Sequence, residues 1–224
     1  EITQKLIRKE IGFWDAMPLL QASFSDSTAI KTFKNLKAHN VFVVPTLHIG
    51  GVLSYLDEVD HTKDGYLKYM GSGVQKTYQG RIDRVKNASE KQVADRKALD
   101  HFFSQLAFKL NENGVSLLAG SDSGAYNSYT YPGISIHKEM EALVATGISP
   151  LDALRASAYN GAKFLKKDAD YGSISQGKIA DIVLLNSNPL ENIKNTQDIY
   201  MVFTKGTAHS KIDLDNLLKA AILN

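Results

Sequence analysis

The 224-residue sequence contains no cysteine. That excludes disulfides and thiolate metal sites, so any metal must be held by histidine, carboxylate or similarly hard groups. It leaves the compartment open, because a chain without cysteine is tolerated in either redox environment. An excess of one charge is lacking too: 26 Lys and Arg stand against 24 Asp and Glu, a net charge of +2. This is too small and too evenly scattered to point to nucleic acid or an anionic membrane. No run of about eighteen or more apolar residues occurs, so no segment reads as a membrane span. The first residues, EITQKLIRKEIGFWDAM, lack the unbroken apolar stretch of a secretory signal, since Lys5, Arg8, Lys9 and Glu10 interrupt it. The chain reads as though entered partway, and a signal upstream of Glu1 would make the protein periplasmic or secreted. Internal repeats and low-complexity segments are also missing.

What remains is a globular chain whose 43% hydrophobic content can bury a sizeable core. Ile2, Leu6, Ile7 and Ile11 have helical spacing, as do Ile30, Phe33 and Leu36 in a second helix starting near Asp26. After Asn40, the run Val41-Phe42-Val43-Val44 reads as a strand buried on both faces and stopped by Pro45. The segment from Gly51 to Asn113 is charged and helical, with an apolar stripe of Leu99, Phe102, Phe103, Leu106 and Leu110. Asn113-Gly114 ends it, and Val115 to Ala119 is a second buried strand. Strand, long helical connection and strand make successive βα units, which imply a parallel sheet or barrel.

Helices are predicted over Ile134 to Thr146 and from Ser149-Pro150 to about Leu165, with Ser149 as N-cap. After Gly172 the character becomes β-rich. Ser173-Ile174, Ile179 to Leu185 and Ile199 to Thr204 read as strands, with a Lys205-Gly206 turn and a closing helix over Asp213 to Ile222. The expected division is therefore 1–172 and 173–224.

The second strand ends in VSLLAGSDSG, an apolar run that delivers one carboxylate, Asp122, to a loop of small residues. Strand C-terminal ends are where parallel α/β folds place chemistry. A carboxylate there can deprotonate water and then protonate a departing nitrogen. Asp-Ser-Gly equally suits a plain turn.

His48, just past VVPTL, sits at the corresponding end of the first strand and is a candidate to touch substrate, or else a surface-loop histidine. Tyr126, Tyr129 and Tyr131 crowd the loop after Asp122, where they would line a substrate pocket or cover it. His137 and Glu139 are two apart, on different sides of a helix, whereas His137 and Glu141 share a face; packing support is expected there rather than metal ligation. His39, His61, His101 and His209 show no local partner pattern and read as surface or structural residues.

Taken together, LLAGSDSG, GISPLDALRASAYNGAKFL and GSISQGKIADIVLLNSNPLENI resemble the C-terminal half of the amidohydrolase superfamily, closest to its imidazolonepropionase-like and prolidase-like members. The resemblance implies an α/β fold: the C-terminal part of a TIM-like (β/α)8 barrel plus strands of a small β-sandwich. VFVVPTL would be barrel strand seven and VSLLAGSD strand eight. It implies a metal-dependent hydrolase of carbon–nitrogen bonds in an amide, dipeptide or cyclic amide. Asp122 would be both general base/acid and metal ligand, beside one or two divalent ions, usually zinc.

The family's His-x-His pair, its bridging lysine or glutamate and its further histidines lie upstream and have no counterpart here. The sequence therefore resembles a fragment, which need not bind metal alone. The competing expectation is a catalytically incomplete structural piece that needs upstream residues or a partner chain, its open strand edges covered by added protein or by self-association.

Overall fold

The computed structural model describes residues 1–124 and 127–222. The chain begins with three helices, α1 (Ile2–Ile7), α2 (Phe13–Ala22) and α3 (Asp26–Ala38), followed by strand β1 (Phe42–Val43) and helix α4 (Leu47–Ser54). Short 3-10 turns at His61–Lys63 and Leu67–Tyr69 lead to α5 (Ser72–Lys86) and the long α6 (Glu90–Glu112), and β2 (Ser116–Leu117) follows. Next come α7 (Ile134–Ala145), α8 (Pro150–Ser157) and α9 (Tyr159–Phe164). The last part holds β3 (Ile182–Leu185), β4 (Ile199–Thr204), β5 (Thr207–Ser210) and α10 (Lys211–Ala220).

The two central strands are launched in the same way. α3 ends with Asn40 at φ 50°, and the Val41 N–H returns to the Leu36 carbonyl at 3.0 Å. α6 ends with Gly114 at φ 74°, and the Val115 N–H returns to the Leu110 carbonyl at 3.0 Å. In both, a left-handed residue satisfies the last carbonyls of a helix and turns an apolar chain into the sheet. β1 and β2 are parallel, with Phe42 opposite Ser116 and Val43 opposite Leu117. Beneath them lies the core, including Phe33, Leu110, Val115, Leu117, Met140 and Leu143. Each fully buried side chain of this size contributes about 1.5–3 kcal/mol.

Several expectations need correction. Residues 41–44, of which Phe42–Val43 form β1, are not buried on both faces: Val41 is 38% and Val44 47% exposed. Among the described residues β1 pairs with β2 alone, so its outer edge has no neighbour to cover these valines. The α6 stripe is divided. Leu106 and Leu110 reach the core below the strands, whereas Phe102 packs edge-on against Phe24 and Phe103 is largely exposed. A helix of 23 residues, roughly 34 Å long at 1.5 Å per residue, outruns two-residue strands. Residues 13–22, unassigned from sequence, form α2 straight through Pro18 and bury Ala16.

Ser173-Ile174 is not a strand, and Ile174 is 85% exposed. The chain there winds around Lys178, whose ammonium donates to the carbonyls of Asp168 and Tyr171. β3, β4 and β5 form an antiparallel meander. Lys205 and Gly206, at φ 48° and 84°, make the turn between β4 and β5, with both central residues left-handed as the twist of a tight hairpin requires. β5, which sequence reading left out, follows from that turn. Ser210 and Asp213 cap α10 reciprocally, so the helix starts at Lys211. No helix among the described residues is long and apolar enough to cross a membrane.

Candidate functional site

The C-terminal ends of β1 and β2 bring two loops together, Val44 to His48 and Leu118 to Gly124. Gly120 makes their approach possible, because a Cβ there would lie 2.5 Å from Val44 Cγ1 and 3.8 Å from Thr46 Cγ2. Thr46 and Asp122 both adopt left-handed backbone, at φ 50° and 49°. Non-glycine residues pay about 1–3 kcal/mol for such conformations and keep them only where the surroundings impose them.

On the β2 side Asp122 is exposed, and its carbonyl accepts a 2.6 Å hydrogen bond from Asn127 Nδ2. On the β1 side the turn at Thr46 opens α4, whose first N–H groups point at a buried carboxylate. Leu47 N donates to Glu139 Oε1 at 3.0 Å and His48 N to Oε2 at 2.7 Å. Glu139 is fully buried. Burial pushes its carboxyl above the usual carboxylate range, and the N–H groups of His48, Leu47 and Thr46 oppose the rise. Glu139 therefore satisfies orphan donors at a helix start where no side chain of its own loop does so.

His48 lines a cavity of about 910 Å³ between α4, α6 and α7, with Asp100, His101 and Gln105 among its polar lining residues. Burial lowers the His48 pKa, and the charge of Lys138 lowers it further. Asp122 does not line this cavity. The two residues thus follow the C-terminal ends of neighbouring strands, and of the pair His48 alone lines this cavity. Tyr129 is buried, 4.8 Å from the Tyr78 ring and stacked on His61 at 4.7 Å. Its ring is engaged by protein on both counts. Tyr126 lies outside the described residues.

His137 Nδ1 is 2.9 Å from Thr196 Oγ1, and Glu141 accepts from Lys138 and Gln197. That face of α7 packs on the 3-10 turn Ile193–Gln197, in keeping with support rather than ligation. Two contributors were passed over in the sequence. Glu139 lies off the face that His137 shares with Glu141 and works through partners 91 and 92 residues away, whereas the partner of His61, Asp64, stands three residues on. His61 Nδ1 donates to Asp64 Oδ2 at 2.9 Å, and the Tyr131 hydroxyl donates to the same oxygen at 2.7 Å. Among the described residues no three His, Asp or Glu side chains converge as a metal site. Asp122 therefore has no complete ligand set here.

The sequence profile of the amidohydrolase family matches residues 28–208, spanning both strand ends, α7 and most of the meander. The chain belongs to the amidohydrolase family. Adenine deaminase 4 of Rhizobium meliloti (strain 1021) is 28% identical over 127 residues, which are 53% of this chain and 21% of that protein. Among solved structures, the bottromycin amidohydrolase AH superposes with a TM-score of 0.65 at 23% identity, over 82% of this chain and 41% of the other. A putative prolidase from Bifidobacterium longum gives 0.55 at 25% identity, over 82% and 40%. A Xaa-Pro dipeptidase with bound methionine in its active site gives 0.58 at 19% identity, over 80% and 37%. This amidohydrolase chain thus spans 21% of the curated relative and about two fifths of these solved structures. Family membership implies a TIM-like barrel, and the mixed α/β content with a parallel strand pair fits part of one.

Proposed function

We propose that the protein hydrolyses a carbon–nitrogen bond in an amide, dipeptide or cyclic amide, with Asp122 as the proton carrier. β1 and β2 are then the seventh and eighth barrel strands, residues 1–172 the end of the barrel and residues 173–224 part of a small β-sandwich. The observation that carries this reading is Asp122 itself, held in left-handed backbone at the end of β2 and pressed through Gly120 against the end of β1.

In that role the carboxylate takes a proton from the water that attacks the carbonyl carbon. It returns the proton to the nitrogen as the carbon–nitrogen bond breaks. Water adds across the bond, giving an acid and an amine, and Asp122 ends as it began. His48 and Tyr126 would contact substrate, while Tyr129, buried against Tyr78 and His61, would support the loop. The family's divalent metal, usually zinc, would take Asp122 as a ligand, but three or four donors are required and the described residues do not converge on such a set.

That same shortfall, with β1 and β2 each paired on one side among the described residues, favours a second reading. The chain is then incomplete as a catalyst and works with upstream residues or a partner chain. The deciding experiment assays the full-length protein, with metal content and intact mass recorded, on dipeptides, N-acyl amino acids and cyclic amides. Asp122→Asn is expected to lower turnover at least about a hundredfold with melting nearly unchanged. A loss below about tenfold would sink the assignment of Asp122.

A further inference from the structure

The loop that leaves Asp122 is bonded within itself and joined through Tyr129 and Tyr131 to the segment around His61 and Asp64. Asn127 Nδ2 donates to the Asp122 carbonyl at 2.6 Å, and Thr130 Oγ1 donates to the Asn127 carbonyl at 2.7 Å. Next in the chain, Tyr131 donates its hydroxyl to Asp64 Oδ2 at 2.7 Å, and His61 Nδ1 donates to that same oxygen at 2.9 Å. The His61 ring lies 4.7 Å from the Tyr129 ring with 16° between their planes, and Tyr129 is itself left-handed at φ 62°. Two strained residues, Asp122 and Tyr129, are thus bracketed by side-chain bonds that end on one carboxylate. Asp64 Oδ2 takes both bonds, and at 28% exposure the side chain is partly sheltered from water, where charge-assisted bonds hold well.

We infer that Asp64 and His61 are positioning residues for Asp122, forming a clasp through which the segment between α4 and α5 fixes the loop after β2. The inference rests on Asp122 being the proton carrier. The physical need for a clasp stands apart from that: left-handed backbone at non-glycine residues relaxes unless neighbouring contacts over-determine it. A loop with small residues at Gly120, Ser121, Ser123 and Gly124 has little side-chain bulk of its own to do so.

The test compares the full-length protein with Tyr131→Phe, which removes one hydroxyl, Asp64→Ala, and His61→Phe, which keeps a stacking ring but loses the bond to Asp64. Amide hydrogen exchange over residues 120–131 is measured alongside kcat and KM. Tyr131→Phe and Asp64→Ala are expected to speed exchange there about tenfold or more while α6 and α8 are unchanged. They should lower kcat by a similar factor with KM altered much less, and His61→Phe should fall between them and wild type.

Unchanged exchange over 120–131 overturns the clasp. Faster exchange spread over the whole chain, or local loosening with kcat unaltered, overturns the positioning role. If Asp122→Asn keeps its turnover, the reading of Asp122 fails separately, and exchange alone then decides whether the clasp exists.

Discussion

The buried carboxylate of Glu139 holds the start of α4, taking the His48 backbone N–H at 2.7 Å on one oxygen and that of Leu47 at 3.0 Å on the other. Only a carboxylate offers two acceptors in this arrangement. In Glu139→Gln one position becomes an amide N–H₂ aimed at a backbone N–H, leaving a buried donor unsatisfied. We expect a loss of about 1–3 kcal/mol, read as a fall in Tm of roughly 2–4 °C per kcal/mol for a domain of this size. Turnover should fall as well, because the turn that sets His48 loosens. Equal stability of variant and wild type would show that the two N–H groups find other partners.

His48 on α4 and His137 on α7 are expected to make stability fall in acid. Burial lowers the pKa values of His48 and His137 below the ordinary 6.5. The unfolded chain then binds more protons than the folded one between the lowered values and 6.5, so stability rises with pH across that window and is lost as pH falls through it. The double variant His48→Gln/His137→Gln is expected to flatten the stability profile below pH 6.5 in urea titrations. Glu139 acts in the opposite sense. Its raised pKa means that the folded state holds a proton longer, so its contribution declines as pH rises above the usual carboxylate range. A variant profile as steep as wild type would remove both histidines from the account.

Local chemistry made much of this arrangement legible. The stops at Asn40 and Asn113-Gly114, the Ser149 cap and the Lys205-Gly206 turn are written in a few adjacent residues, and each forms where the sequence places it. The parallel pairing of β1 and β2 followed from their separation by helix. What escaped reading depends on partners far along the chain. Leu47 and Glu139 are 92 residues apart and Tyr131 and Asp64 are 67 apart, so neither the helix start held by Glu139 nor the clasp at Asp64 leaves a periodic trace. α2 was hidden for another reason: Pro18 is a breaker by local rules, and packing of α2 on α6 overrides it.

The approach of the two loops can be tested by returning the atom that Gly120 leaves out. A Cβ at this position would meet Val44 Cγ1 at 2.5 Å but Val44 Cβ only at 4.0 Å, so the clash is with a methyl that Val44→Ala deletes. Gly120→Ala alone should push the loop bearing Asp122 away from β1, lowering kcat strongly and stability by about 1–3 kcal/mol, as overpacking does. Val44 is 47% exposed, so Val44→Ala by itself should cost little. The double variant should recover most of both losses, giving a coupling energy well outside the few tenths of a kcal/mol seen for independent sites. Additive effects in this cycle would mean that the loops do not depend on their close approach, and the strand-edge site built on it would lose its geometric basis.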